Sequence, residues 1–128
     1  TAFFNGVKNK RNSEIYVPWP GFANFHMLYQ IPDKAFEMAA TVHPAWSKLP
    51  QAVQKLHARN IMQILGKDLI TPSLFVVCYT ADKCIDESTR SYKTGGTATA
   101  IVLAARNNIP VFNLSIPEHL NRIETFLN

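Results

Sequence analysis

The sequence predicts a single α/β domain of the Rossmann-like kind, three layers with a mostly parallel sheet, and three observations predict it. Leu74-Phe75-Val76-Val77-Cys78-Tyr79 is an unbroken apolar run of strand length, the pattern of a central parallel strand covered on both faces. A second short run, Pro110 to Leu114, follows it after a helix-length segment that is apolar nearly all round, Thr97 to Arg106. Strand, helix and strand in that order call for a parallel crossover unit. Between the first strand and the helix stands Thr94-Gly95-Gly96-Thr97-Ala98-Thr99, where two glycines let a ligand approach the backbone, threonines are placed to cap the helix, and the helix start offers N–H groups and a positive dipole end.

Taken in order, Thr1 to Lys8 has a short helical apolar pattern in Ala2, Phe3, Phe4 and Val7, and Asn9 to Ser13 is a polar turn. Ile15-Tyr16-Val17 reads as a short buried strand stopped by Pro18 and Pro20. Trp19 and Phe22 follow at its exit, placed either to stack on a base or to pack beneath a loop. Asn24 to Ile31 has no readable pattern. Asp33 starts a helix containing Ala35, Phe36, Met38 and Ala39 that ends near His43-Pro44, because the residue before proline disfavours the helical region. His26 and His43 have no partners at metal-ligand spacing, so no metal site is expected.

Leu49-Pro50 opens the longest helix, about Gln51 to Gly66. At about 100° per residue, Val53, His57, Ile61, Ile64 and Leu65 share one face and Lys55, Arg59, Gln63 and Gly66 the other. His57 therefore reads as a buried, hydrogen-bonded structural histidine rather than a catalytic one. Thr80 and Asp82 sit at the exit of the first long strand, where site residues are expected in open α/β sheets. Lys83 to Lys93 is polar and aperiodic, the composition of a mobile loop that closes over a ligand. Asn107-Asn108 stops the apolar helix, and Pro117-Glu118 starts a final amphipathic helix with Leu120, Ile123, Phe126 and Leu127.

A 128-residue chain with 47% hydrophobic and 17% charged residues has room for one sheet and its helices. Its net charge of +4 comes from Lys and Arg spread along the chain, which suits an anionic partner without demanding nucleic acid. Cys78 and Cys84 lack metal spacing and suggest a reducing compartment. No apolar stretch approaches the roughly 20 residues of a membrane helix and no signal peptide opens the sequence, so the expected setting is the cytoplasm without a membrane partner.

The combination Leu56-His57-Ala58-Arg59-Asn60, the strand Leu74 to Tyr79, and Gly95-Gly96-Thr97-Ala98-Thr99 with its Ile109-Pro110-Val111-Phe112-Asn113-Leu114 ending resembles the superfamily of DNA-processing protein A, the LOG ("lonely guy") phosphoribohydrolases and the molybdenum-cofactor carrier proteins. It is most similar to the small DNA-processing-A-like proteins of phages and bacteria, over about residues 1 to 114. In LOG enzymes a helix motif M-H-x-R-K supplies an arginine, and P-G-G-x-G-T-x-x-E supplies a phosphate turn and a catalytic glutamate. Carried over, Arg59 matches the arginine, Asn60 replaces the lysine, and Gly95, Gly96 and Thr99 match the turn. Thr94 stands for the proline, Ala98 for the third glycine and Val102 for the glutamate. Cleaving an N-glycosidic bond needs a carboxylate to steady an oxocarbenium-like sugar or activate water, and valine does neither. The resemblance also implies a first strand and a turn of the form S-G-G-A-x-G-A-D ahead of Thr1-Ala2-Phe3, so the expected domain lacks that strand and half of its nucleotide crevice.

These readings converge on a binding protein for a nucleotide or nucleotide-derived phosphate, with candidate ligand-binding residues Arg59, Asn60, Thr94, Gly95, Gly96, Thr97, Thr99, Thr80, Asp82 and Trp19. The alternatives are a nucleoside 5′-monophosphate phosphoribohydrolase, with Asp82, Asp86 or Glu87 replacing the missing carboxylate, and a single-stranded DNA module, which requires a basic groove with stacking aromatics. The resemblance further implies self-association, for which the apolar C-terminal helix is available.

Overall fold

The computed structural model describes residues 5–25 and 30–128; Ala2, Phe3, Phe4 and His26 lie outside them. The chain forms a mixed α/β domain whose described residues include the helices α1 (Asp33–Val42), α2 (Gln51–Leu65), α3 (Ala98–Arg106) and α4 (Pro117–Leu127). Two short parallel strands, β1 (Val76–Cys78) and β2 (Val111–Asn113), pair in the register Val76 to Val111, Val77 to Phe112 and Cys78 to Asn113. The crossover from β1 to β2 runs through α3. Among the described residues no helix is long and apolar enough to cross a membrane.

Helix α1 begins at Asp33, whose carboxylate suits the positive end of the helix, and stops at His43 ahead of Pro44. Its buried residues Ala35, Ala39 and Val42 form one stripe and share a core cluster with Ala58 of α2. Helix α2 ends at Gly66, whose φ of 78° glycine adopts without the Cβ penalty and whose N–H donates to Met62 O at 2.8 Å. Helix α3 is buried from Ala98 through Ala104, as its all-round apolar sequence predicts. The side chains of Ile61, Met62, Ile101 and Val102 are fully buried at the α2 and α3 level of the core, each contributing about 1.5–3 kcal/mol.

Alternation along β2 turns Val111 toward this core and Phe112 toward α4, so α3 and α4 cover opposite faces of the sheet. On the α4 side the Phe112 ring lies 5.8 Å from His119 and 5.0 Å from the Arg122 guanidinium carbon. The apolar edge of α4 is left open: Phe126 and Leu127 are 73% and 74% exposed, beside a concavity of about 610 Å³ lined by Leu74, Phe75, Phe112 and Phe126.

The structure corrects three expectations. Ile15-Tyr16-Val17 is not a strand, although Tyr16 and Val17 are buried; the Tyr16 carbonyl accepts from the Arg59 side chain instead of a ladder. The apolar run 74–79 pairs over only three residues, and Leu74 and Tyr79 are exposed. Its neighbour β2 explains this, because Pro110 lacks an N–H to donate and the chain turns after Asn113. Residues 83–93 contain no regular element but are densely stitched: Asp86 and Thr89 bond each other's backbone, Arg90 donates to Val42 O at 3.0 Å, and Glu87 pairs with Arg106 at 2.6 Å.

A cationic cleft at the glycine turn

The turn is held from below by the strand ends. Asn113, fully buried at the end of β2, donates to Thr80 Oγ1 at 2.7 Å and to the Cys84 carbonyl at 2.8 Å. Asp82 accepts from the hydroxyls of Thr94 and of Ser91, the latter at 2.7 Å, and from the Cys84 N–H at 3.3 Å. The Thr94 and Ser91 hydroxyls hold the Asp82 carboxyl well below the usual carboxylate range. Thr94 Oγ1 in turn accepts from Ser91 N–H at 2.9 Å, closing a capping box on the 3₁₀ segment Tyr92–Thr97. Thr80, Asp82 and Thr94 are thus tied into one hydrogen-bonded group with Ser91 and Asn113.

That 3₁₀ segment runs straight into α3, which alters the expected cap. Thr97 stands at the helix N-cap with helical angles and makes no side-chain capping bond, and Ala98 N–H donates to Gly95 O. The threonines therefore do not cap α3 as predicted; Ser91 and Thr94 cap the preceding segment. Gly95 has φ 68° and ψ −153°, a conformation essentially confined to glycine. No atom lies within 4 Å of a Cβ built on Gly95 or Gly96, so the outer side of this turn is open.

Helix α2 supplies the facing wall. Asn60 is buried and donates to Gly96 O at 2.9 Å while its Oδ1 accepts from Arg59 Nε at 3.0 Å. One amide thus ties the guanidinium to the glycine turn. Arg59 Nη1 donates to Tyr16 O at 3.1 Å, and its guanidinium carbon lies 5.6 Å from the centre of the Phe22 ring. Trp19 packs edge-on against Phe22 at 5.3 Å and stays 37% exposed. Burial pulls the Arg59 guanidinium below its ordinary pKa, and no carboxylate pairs with it among the described residues. Its bonds go to the neutral acceptors Asn60 Oδ1 and Tyr16 O, so an anion in the cleft would add the charge partner they do not supply.

Arg59, Asn60, Gln63, Gly96 and Thr97 line one cleft of about 550 Å³. Gly95, Arg90, His43 and Tyr92 line a second, about 530 Å³, and the two share Val53 and His57. His57 Nδ1 and Thr99 Oγ1 share a 2.6 Å hydrogen bond, and the His43 ring packs 4.8 Å away. Burial first, then the charges of His43 and Arg90, push the His57 pKa down to about 4, so the ring is neutral at pH 7. His57 is therefore buried and hydrogen-bonded, as its place in the apolar stripe predicts, and the fully buried Thr99 is its partner.

Of the predicted site residues, the structure brings Arg59, Asn60, Gly96 and Thr97 around one cleft, opens Gly95 onto the next, and sets Trp19 beside Arg59 through Phe22. Val102 is buried in the core. Arg90, Tyr92 and Leu49 are not among the predicted site residues; Arg90 and Tyr92 fall in an aperiodic segment held by the Asp82 and Asp86 bonds. Among the described residues no three His, Cys, Asp or Glu side chains group to hold a metal ion. Fold and site together define a mixed α/β domain with a cationic cleft at a glycine turn. No protein-family model, curated protein or solved structure compared with this chain matches it.

Proposed function

We propose that the protein binds a nucleotide or nucleotide-derived phosphate, with the anion between Arg59 and the Gly96-Thr97 backbone, on a Rossmann-like three-layer domain of the DNA-processing-A-like kind. The observation that carries the reading is Arg59, a guanidinium drawn from water, without a carboxylate among the described residues, and coupled through Asn60 to Gly96. Its planar fork is suited to bidentate bonding of phosphate oxygens. The β1-α3-β2 parallel crossover and the helices on both faces of β2 support the fold assignment. Hydrolysis of an N-glycosidic bond has less support: Val102 is buried, Asp82 is engaged by two hydroxyls and Glu87 by Arg106.

The test is thermal unfolding against a panel of nucleoside 5′-phosphates and ribose 5-phosphate. A rise in midpoint with a phosphate-bearing compound, lost in Arg59→Ala, supports the reading; no rise with any of them overturns it. A second reading, single-stranded DNA binding, draws on the exposed Trp19 ring beside Arg59. Oligonucleotide affinity that falls steeply with salt and is lost in Trp19→Ala would select it.

A further inference from the structure

We infer that residues 85–93 are a hinged strap that swings as a unit between Lys83 and Gly95 while the rest of the domain stays folded, opening the cleft on the Gly95 side of the turn and uncovering the Cys84 thiol. The movement is a property of the fold and is independent of which ligand enters that cleft. At both ends of the strap the backbone lies in the left-handed region, Lys83 at φ 59° and Gly95 at φ 68°. Glycine adopts such angles freely; Lys83 carries a Cβ, is strained there, and relaxes when the strap lifts.

Between these two points the segment is bonded mainly to itself. Thr89 Oγ1 accepts from the N–H groups of Ile85 and Asp86 at 2.9 and 3.1 Å, and Asp86 Oδ1 accepts from Thr89 N–H at 2.9 Å and from Ser88 Oγ at 2.7 Å. These bonds keep residues 85–89 together as one body without fixing them to the core. The bonds that do fix the strap are polar: Glu87 on Arg106, with side chains 55% and 40% exposed, Arg90 Nη1 on Val42 O at 3.0 Å, and Ser91 Oγ on Asp82 at 2.7 Å. No residue from 85 to 93 is buried, so no apolar side chain roots the strap in the core. A segment held by a surface ion pair and a few hydrogen bonds opens at lower free energy than the packed helices it lies on. Beneath it Cys84 is fully buried, its sulfur covered by Asp86 O at 3.3 Å and Thr89 Oγ1 at 3.8 Å. The Cys84 backbone is tied to the strand ends, through Asn113 Nδ2 at 2.8 Å and Thr80 Oγ1 at 3.2 Å. The thiol thus belongs to the fixed side of the hinge and its cover to the moving side. Arg90, Ser91 and Tyr92 line the cleft with His43, His57 and Gly95, so the same swing withdraws one wall of it.

Alkylation of the folded chain by iodoacetamide, with Cys84 and Cys78 read separately by peptide mass spectrometry over a urea series below the unfolding transition, tests this in the wild type, Glu87→Gln and Arg90→Ala. The reagent is uncharged, so added salt acts on the strap and not on the encounter. Each thiol is compared with itself across conditions, because burial pushes the Cys78 thiol up to about 11 and slows it at any opening. The expected result is a Cys84 rate nearly flat in low urea, as local opening exposes little surface. That rate rises about two- to fivefold in Glu87→Gln and in the wild type at 1 M sodium chloride, the worth of one surface ion pair. It rises in Arg90→Ala as well, while Cys78 climbs with urea in step with global unfolding and does not respond to either variant. Cys84 alkylation that follows global unfolding at every urea concentration overturns the strap. So does a Cys84 rate unchanged in both variants, or a rise that Cys78 shares to the same extent.

Discussion

Acidifying the protein from pH 7.5 to 5 should cost about 2 kcal/mol of stability through His57 alone. In the folded state the ring is wedged between Thr99 and His43 and its pKa is pushed from 6.5 to about 4. The unfolded chain takes up a proton on this residue below about pH 6.5, whereas the folded chain refuses it until about pH 4. Stability therefore rises with pH across this window and is fully present above it, at about 1.36 kcal/mol for each pH unit. The carboxylates with lowered pKa, Asp68, Asp82, Asp86 and Glu87, change stability in the same direction but mainly below their ordinary range, so the interval from pH 7.5 to 5 reports chiefly on histidine. His43, lowered by burial and by Arg90, adds a contribution of the same sign. The measurement is urea unfolding at both pH values for the wild-type chain and for His57→Gln, which keeps a hydrogen-bonding group for Thr99 without titrating. The wild type should lose about 2 kcal/mol more than the variant over this interval. Equal pH dependence in the two would refute the argument that burial holds this ring neutral.

Three further outcomes follow from the same contacts. Asn60→Leu removes the bonds to Gly96 O and Arg59 Nε from a buried position, and should lower stability by about 2 kcal/mol in denaturant titration while weakening phosphate binding. Gly95→Ala should cost about 1–3 kcal/mol, because its backbone angles and not its surroundings exclude a side chain; Gly96→Ala, with equal space and no positive φ, should cost far less. Asp82→Ala frees the hydroxyls of Ser91 and Thr94, and amide hydrogen exchange should accelerate at those two residues and Lys93 before it changes in α1.

The helices were legible because periodicity and punctuation act locally. Asp33 and Pro44 bracket α1, Pro50 and Gly66 bracket α2, and the burial of His57 follows from counting around α2. The strands were less so, since strand length depends on the neighbour: β1 stops where β2 stops, and Ile15 to Val17 joins no sheet among the described residues. At the site, the motif resemblance marked Arg59, Asn60 and the glycines, where counting around α2 alone puts Arg59 on its polar face; that Asn60 would bond the turn was not legible, because that bond spans 36 positions in the chain. Thr80, Asp82, Thr94 and Thr99 carry the polar groups expected of ligand contacts, yet their nearest partners are one another, Asn113, Ser91 and His57. The number of hydroxyls near a strand exit says nothing by itself about whether they face a ligand or each other.

The most direct measurement is a titration of isotopically labelled protein with ribose 5-phosphate, following the backbone amides of Gly96 and Thr97 and the Arg59 Nε–H by nuclear magnetic resonance. Saturable shifts at these three groups together, absent in Arg59→Ala, are the predicted result. Unmoved signals at all three, or shifts confined to α4 and the exposed Phe126 face, would contradict it.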